Sequence, residues 1–233
     1  MKNFKYNFFE PSIEKKKETT IIFYHGYGTY AADCNDVAEK LTTEGYAVII
    51  PEIIYHDTRN PLENPFKKET MQQYFWKTIF QSIEEFDEFL EGLGILEHKI
   101  IVAGSSMGGF IANGIFAVRK NLGGLINING SGSFLLSEKL FRKMDGRPSI
   151  GFEEEQMLKI IDPFRKTECQ TPILLMHGDS DKTIPIEGQE DYFRFLTKVE
   201  DRGNVEFKVY KDIDHQFSSE MLNDAISWLN KNK

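Results

Sequence analysis

Five short apolar runs limit how this chain can fold. They are Ile21–Tyr24, Ala47–Ile50, Ile100–Ala103, Leu125–Ile128 and Ile173–Met176, each nearly uninterrupted and rich in β-branched residues. A strand with one wet face alternates apolar and polar residues, whereas a strand covered on both faces need not. The runs therefore predict the central strands of a mostly parallel sheet with helices on both faces. Helical spacing between them joins Cys34, Val37, Ala38 and Leu41, then Phe75, Ile79, Ile83, Phe86 and Leu90. The same spacing joins Tyr192, Phe195, Leu196 and Val199, and finally Leu222, Ala225, Ile226 and Leu229. Strand and helix in turn give a doubly wound α/β sheet. Two alternating stretches belong at its margins. Val205–Val209 fits a position near an edge, and Phe4, Tyr6 and Phe8 fit an N-terminal antiparallel strand.

Two segments break the rhythm. Residues 51–70 contain Pro51, Pro61, Pro65, Asn60 and Asn64 and read as a long loop. Residues 130–170 form an insert whose apolar clusters, Phe134–Met144 and Met157–Ile161, predict two short helices. Long inserts in compact domains are usually functional, so a lid over a pocket is expected. The chain, residues 1–233, reads as one domain carrying this insert. Its 19 Phe predict a thick core or an apolar pocket.

Charge and cysteine usage exclude several functions. A net charge of −8 with no basic stripe repels phosphate backbones, which argues against nucleic acid as a partner. Cys34 and Cys169 stand far apart and form no Cys-x-x-Cys pair. That favours free thiols in a reducing compartment over a disulfide framework or a structural zinc site. The first residues, Met1–Tyr6, lack the apolar core of a secretory signal, and no apolar run is long enough to span a membrane. The expected location is the cytoplasm.

In a doubly wound sheet, ligands bind beyond the carboxyl ends of the strands, so the residues just after each apolar run carry the chemistry. After Ile100–Ala103 stands Gly104-Ser105-Ser106-Met107-Gly108-Gly109. Only Ser106 has glycine two residues to either side; Ser105 would need it at Ala103 and Met107. A serine on a sharp strand-to-helix turn has a strained backbone, and side chains at the flanking positions would clash. A helix from Met107 to about Lys120 would aim its N-terminal amides at the site. Such a serine needs a base, normally a histidine held by a carboxylate, in the chain order serine, acid, histidine. Two later strand ends supply them: His177-Gly178-Asp179-Ser180-Asp181 and Asp212-Ile213-Asp214-His215.

Together these residues resemble the α/β-hydrolase superfamily, a serine esterase of the prolyl-oligopeptidase and dienelactone-hydrolase branch, from about Thr19 to Leu229. The family pattern His-Gly-x-x-Asp-x-x-Val-Pro is met from His177 to Pro185, with Ile184 in place of Val. The resemblance implies an α/β-hydrolase fold with Ser106 as nucleophile, His215 as base and Asp181, rather than Asp179, as the acid. Asp179 then reads as a turn-capping carboxylate. An oxyanion hole needs two backbone amides. One would come from Met107, beside the nucleophile. The other would come from Tyr27, because His25-Gly26-Tyr27-Gly28 is similar to the family's His-Gly-x-Gly. A donor of this kind contributes about 3–4 kcal/mol to transition-state binding.

The resemblance makes His25 and His177 structural, and His98 reads as solvated. His56 and Arg59, in the loop after a central strand, are candidates for substrate contacts; Arg59 would hold a substrate carboxylate or pair with Asp57. Tyr74, Phe75 and Trp76 read as core packing, and the acidic runs Glu84-Glu85 and Glu153–Glu155 as solvated faces. No His-Glu-x-x-His or helical histidine pair supports a metal, and no cofactor is expected. A dinucleotide site fails because Gly26-Tyr27-Gly28 continues as Thr29-Tyr30-Ala31 without the third glycine. The expected activity is hydrolysis of a small-molecule carboxylic ester. A thioesterase or small peptidase shares the same residues. A non-catalytic binding module is disfavoured because every reacting residue is present. The sequence leaves the oligomeric state open.

Overall fold

The five apolar runs become the five inner strands of a seven-stranded sheet in a computed structural model, which describes residues 4–164 and 170–232. The strands are β1 (Tyr6–Phe9), β2 (Thr20–Tyr24), β3 (Ala47–Pro51), β4 (Ile100–Ser105), β5 (Gly124–Ile128), β6 (Ile173–Gly178) and β7 (Val205–Tyr210). Their spatial order is β1-β3-β2-β4-β5-β6-β7. Only β1 runs antiparallel to its neighbour, and it and β7 are the edges, as their alternating patterns require.

Among the described residues, eight α-helices accompany the sheet: α1 (Asn35–Thr43), α2 (Lys68–Glu84), α3 (Phe86–Leu93), α4 (Met107–Val118), α5 (Phe134–Asp145), α6 (Phe152–Ile161), α7 (Glu187–Lys198) and α8 (Ser219–Asn232). Successive strand residues point to opposite faces, so each run feeds two cores. Ile21, Val48, Ile101, Ile126 and Leu174 pack with α1 and α8. Ile22, Ile49, Val102, Leu125 and Leu175 pack on the other side with α2, α3, α4 and α7. This double coverage is why the runs are continuous.

The chain turns one way from β2 to β3 and then places β4 on the other side of β2. That reversal opens a crevice beyond the carboxyl ends of β2 and β4. The turns after these two strands carry Tyr27 and Ser106. Helix α4 starts in the crevice and is buried on nearly every side. Its Gly114 lets α2 approach closely, for a Cβ there would collide with Ile83.

The helical spacing from Phe75 to Leu90 predicts one helix, but the structure has two. Hydrogen bonds cross the junction, from Glu85 N to Gln81 O and from Phe89 N to Glu85 O, so it is a kink rather than a gap. At the kink the Glu85 carboxylate receives Arg59 Nη2 at 2.7 Å, both side chains mostly buried. Cys34 is a free, half-buried thiol whose pKa is pushed up to about 12 by burial and by nearby Asp33 and Asp57, which favours the neutral thiol over the thiolate. Cys169 lies outside the described residues.

The insert contains both expected helices, α5 and α6, and is pinched at its neck. The Asp162 carboxylate accepts the amides of Phe134 and Leu135 at 3.0 Å each and that of Phe164 at 3.2 Å. Phe164 N also donates to Gly132 O at 3.1 Å. One buried side chain thus caps α5 and joins the two ends of the excursion. Asp162→Ala should lower the unfolding free energy by about 2 kcal/mol, the cost of a lost cap and orphaned amides. Urea denaturation at pH 7 measures this, and an unchanged midpoint and slope would contradict it.

Candidate active site

Ser106 sits between β4 and α4 with φ 57° and ψ −123°, a backbone that non-glycine residues rarely adopt. Its amide donates to Ile128 O on β5 at 2.9 Å, and its carbonyl accepts Gly109 N at 2.9 Å. A Cβ on Gly104 would strike the Gly108 carbonyl, and one on Gly108 would strike the Tyr24 carbonyl. The glycines on either side of Ser106 are therefore needed for strand β2, strand β4 and helix α4 to converge.

Two loops close on this turn. His215, in the loop after β7, places Nε2 2.8 Å from Ser106 Oγ and Nδ1 2.7 Å from Asp181 Oδ2. Asp181 follows β6 with its side chain fully buried. Its Oδ1 accepts Thr183 N at 2.8 Å and Ile184 N at 2.9 Å. Burial alone would raise its pKa; hydrogen bonds from His177 and His215 and the backbone amides reverse that and hold it well below the usual carboxylate range. It is an anion, oriented to accept from His215 Nδ1–H. Asp179 points elsewhere: its Oδ1 accepts Asp212 N at 2.7 Å, the turn-capping role.

The turn after β2 completes the arrangement. A Cβ on Gly26 would lie 3.5 Å from Ser106 Cβ, so the Tyr27 amide follows a residue in contact with the serine. Met107 is the first residue of α4, where a helix amide has no partner in a preceding turn.

His56 and Arg59 are not where a substrate contact would be. Arg59 donates to Glu52 O at 3.1 Å and to the Glu85 carboxylate at 2.7 Å, rather than to Asp57. His56 is only 4 % exposed. Its Nε2 accepts the Gly28 amide at 2.9 Å, and its Nδ1–H donates to Ile54 O at 3.1 Å. Both residues read as substrate contacts because the loop follows a central strand; Arg59 instead bonds to Glu52 O and the Glu85 carboxylate, and His56 to Gly28 N and Ile54 O. His25 and His177 are fully buried, with Nε2 facing Asp57 and Ile184 O respectively, and His98 is exposed.

Beside Ser106 and His215 opens a cavity of about 370 Å³. Phe75 and Trp76 of α2 and Phe141 of α5 form its walls, with Phe66, Met71 and Met144 also lining it. Phe75 and Trp76 therefore do more than fill the core. Trp76 Nε1 donates to buried Glu138 at 2.8 Å, and Glu138 also accepts from Arg142 and Arg147. Among the described residues, no three His, Cys, Asp or Glu side chains gather as metal ligands would, and no helix is long and apolar enough to cross a membrane.

Sequence reasoning missed Asn129. It follows β5 with φ 48°, nearly fully buried. Its amide donates to Met176 O at 2.8 Å, its Nδ2 donates to Gln216 O at 2.8 Å, and its Oδ1 accepts Gly178 N at 3.1 Å. One side chain thus joins the loops that carry Asp181 and His215. The Asn-Gly pair after an apolar run is the signal that could have found it, since Asn tolerates a left-handed backbone.

A parallel sheet reversed at the site, with a strained serine hydrogen-bonded through histidine to a buried aspartate, defines an α/β-hydrolase. The pattern of the dienelactone hydrolase family matches residues 6–228. The chain belongs to that family, and with it to the carboxylic-ester hydrolases. It is 24% identical to esterase YjfP of Escherichia coli over 89% of this chain and 86% of that protein. It is 28% identical to acyl-protein thioesterase 1 of Gibberella zeae over 69% of this chain and 56% of that one. In fold it is similar to the crystal structure of esterase PE8, with a TM-score of 0.69, 18% identity and coverage of 99% of both chains.

The buried His56 ring has a measurable consequence. Burial lowers its pKa from 6.5 to about 4, opposed by the bond to Ile54 O. The unfolded chain then binds this proton more tightly than the folded one. Unfolding free energy should fall as pH drops from about 6.5 towards about 4. His56→Gln cannot titrate, so its stability should decline less between pH 7 and pH 4.5 in urea denaturation. Equal declines would refute the assignment.

Proposed function

We propose that this chain is a serine hydrolase that cleaves a small carboxylic ester through an acyl-enzyme. The observation that carries the reading is the line from Ser106 Oγ through the His215 ring to Asp181, with contacts of 2.8 and 2.7 Å. His215 Nε2 takes the hydroxyl proton as Ser106 Oγ bonds to the ester carbonyl carbon. Asp181 fixes the tautomer with the proton on Nδ1 and stabilises the imidazolium that forms. The amides of Tyr27 and Met107 receive the oxyanion. Collapse of the tetrahedral intermediate breaks the bond to the alcohol oxygen, which leaves with the proton from His215. Water, deprotonated by the same nitrogen, then attacks the acyl-enzyme and releases the acid and free Ser106.

The walls of Phe75, Trp76 and Phe141 suit an apolar acyl or aromatic group, and the contribution of Glu138, Phe141 and Met144 from α5 supports reading the insert as a lid. A thioester is the second reading. The likeness to an acyl-protein thioesterase favours it, and the same residues perform the reaction with a thiolate as leaving group.

A ladder of p-nitrophenyl esters from acetate to decanoate, with a matched acyl thioester, tests both readings. Esters carrying several acyl carbons should be turned over faster than acetate. Ser106→Ala should lower kcat by about 10⁴-fold or more while the protein stays folded. Undiminished hydrolysis by Ser106→Ala would overturn the mechanism, and a strong preference for the thioester would select the second reading.

A further inference from the structure

An oxyanion hole works only if its amides are already in place. Donors must stand about 2.7–3.1 Å from the developing oxyanion, and a displacement of about 1 Å costs roughly 10²-fold in rate. In this chain one of the two donors lies on an irregular turn, not on a helix. Residues 25–31 follow β2, and their own bonds gather at the near end: Thr29 N and Thr29 Oγ1 reach Gly26 O at 3.4 and 2.9 Å, and His25 Nδ1 lies 2.9 Å from Gly26 O and 3.3 Å from Thr29 Oγ1. The amides of Gly28 and Ala31, further along the turn, are held from another part of the chain.

His56 and Asp57, consecutive in the loop after β3, grip it at separate points. His56 Nε2 accepts the Gly28 amide at 2.9 Å, one residue beyond the Tyr27 amide. Asp57 Oδ1 accepts the Ala31 amide at 2.8 Å, and Asp57 Oδ2 lies 3.1 Å from His25 Nε2. An amide can only donate, so His56 Nε2 must carry a lone pair, and Nδ1–H donates to Ile54 O at 3.1 Å. The ring's plane and tautomer are both fixed. Its walls are His25 and Tyr27, packed edge-on with centroids 5.4 and 5.3 Å away. The backbone is bent to present these side chains: Tyr55 and Asp57, on either side of His56, have φ of 67° and 50°. Gly28 is itself at φ 71°, and a Cβ there would collide with the Phe66 ring, so the turn is confined from its outer side as well.

We infer that His56 is a positioning residue for the oxyanion turn, setting the Tyr27 amide by accepting the hydrogen bond of Gly28, with Asp57 fixing the far end of the same turn. His56 does not touch the substrate. The inference rests on the serine-hydrolase reading above.

The test compares His56→Gln with His56→Asn. Glutamine carries its amide group to the depth of Nε2 and can accept from Gly28. Asparagine ends at the depth of Nδ1, where it serves Ile54 O and leaves the Gly28 amide unpaired. Both variants are first checked for folding by circular dichroism and thermal melting. On a p-nitrophenyl ester, His56→Asn should lose about 10²-fold in kcat with KM changed by less than about threefold, and His56→Gln should recover to within about tenfold of wild type. Inhibition by phenylboronic acid, whose serine adduct is tetrahedral, should weaken in step with kcat. A raised KM at constant kcat would make His56 a substrate contact instead and overturn the inference. Equal kcat in the two variants would do the same, since packing rather than the hydrogen bond would then matter. A wild-type protein inert to esters and unlabelled by a fluorophosphonate would overturn the serine-hydrolase reading, and this inference with it. Active wild type with unchanged His56→Asn would overturn the inference alone.

Discussion

The backbone of Ser106, at φ 57° between a strand and a helix, is the constraint around which the rest of this molecule is arranged. Such a conformation costs on the order of 1–3 kcal/mol and persists only when its surroundings leave no alternative. Here the surroundings are unusually close. Gly104 touches the backbone at Gly108, Gly108 touches the carbonyl of Tyr24, and Gly109 packs against Asn127 and Gly130. Three parallel strands and a buried helix meet at one point, with glycines and the Asn127 side chain at the contact. Relaxing Ser106 would require the sheet and α4 to separate, at the cost of the core on that face. The backbone therefore fixes the Cα–Cβ direction, and the hydroxyl meets His215, in the loop beyond β7, at 2.8 Å.

The loops beyond β6 and β7 need their own order, because neither is regular structure. A buried carboxylate is tolerable only when its oxygens are occupied, and Asp181 has both occupied: two backbone amides on one, His215 on the other with His177 nearby. The amides that satisfy Asp181 also fold its turn, so the same contacts keep the acid ionised and set its position. Asn129 then ties that turn to the histidine loop through Gly178 N and Gln216 O. The alignment of three side chains from three loops thus depends on a fourth residue, Asn129, hydrogen-bonded beside two of those loops.

How much of this was legible in the sequence follows from the range of each interaction. The inner strands were legible because burial on both faces writes a continuous apolar run, and Ser106 because its strain demands glycines at fixed spacing. The positions of Asp181 and His215 at strand ends were legible from chain order and the family pattern together. Arg59 and His56 were misread for a common reason. A polar residue on a loop near a site looks the same in sequence whether it faces solvent, substrate or a buried amide. Arg59 finds Glu85 on another helix, and His56 finds Gly28 on another loop. Such pairings leave no periodic trace. The kink at Glu85 was hidden likewise, because apolar spacing continues through it.

The insert shows how a long excursion can be ordered without joining the sheet. Its neck is closed by Asp162, and its body is fastened to α2 at three places. Trp76 donates to Glu138, Gln72 to the Asp145 side chain at 3.2 Å, and Lys68 to the Asp145 carbonyl at 3.1 Å. Glu138 would be costly to bury alone, and Arg142 and Arg147 neutralise it from the insert's own side. Every one of these contacts joins the insert to itself or to α2, and α2 packs on the buried helix behind Ser106. The wall of the cavity is therefore continuous with the support of Ser106. An apolar group held between Phe75, Trp76 and Phe141 would rest on surfaces fixed to the same frame as the serine hydroxyl. Under the proposed mechanism, the acyl group and the ester bond would be placed by one set of contacts.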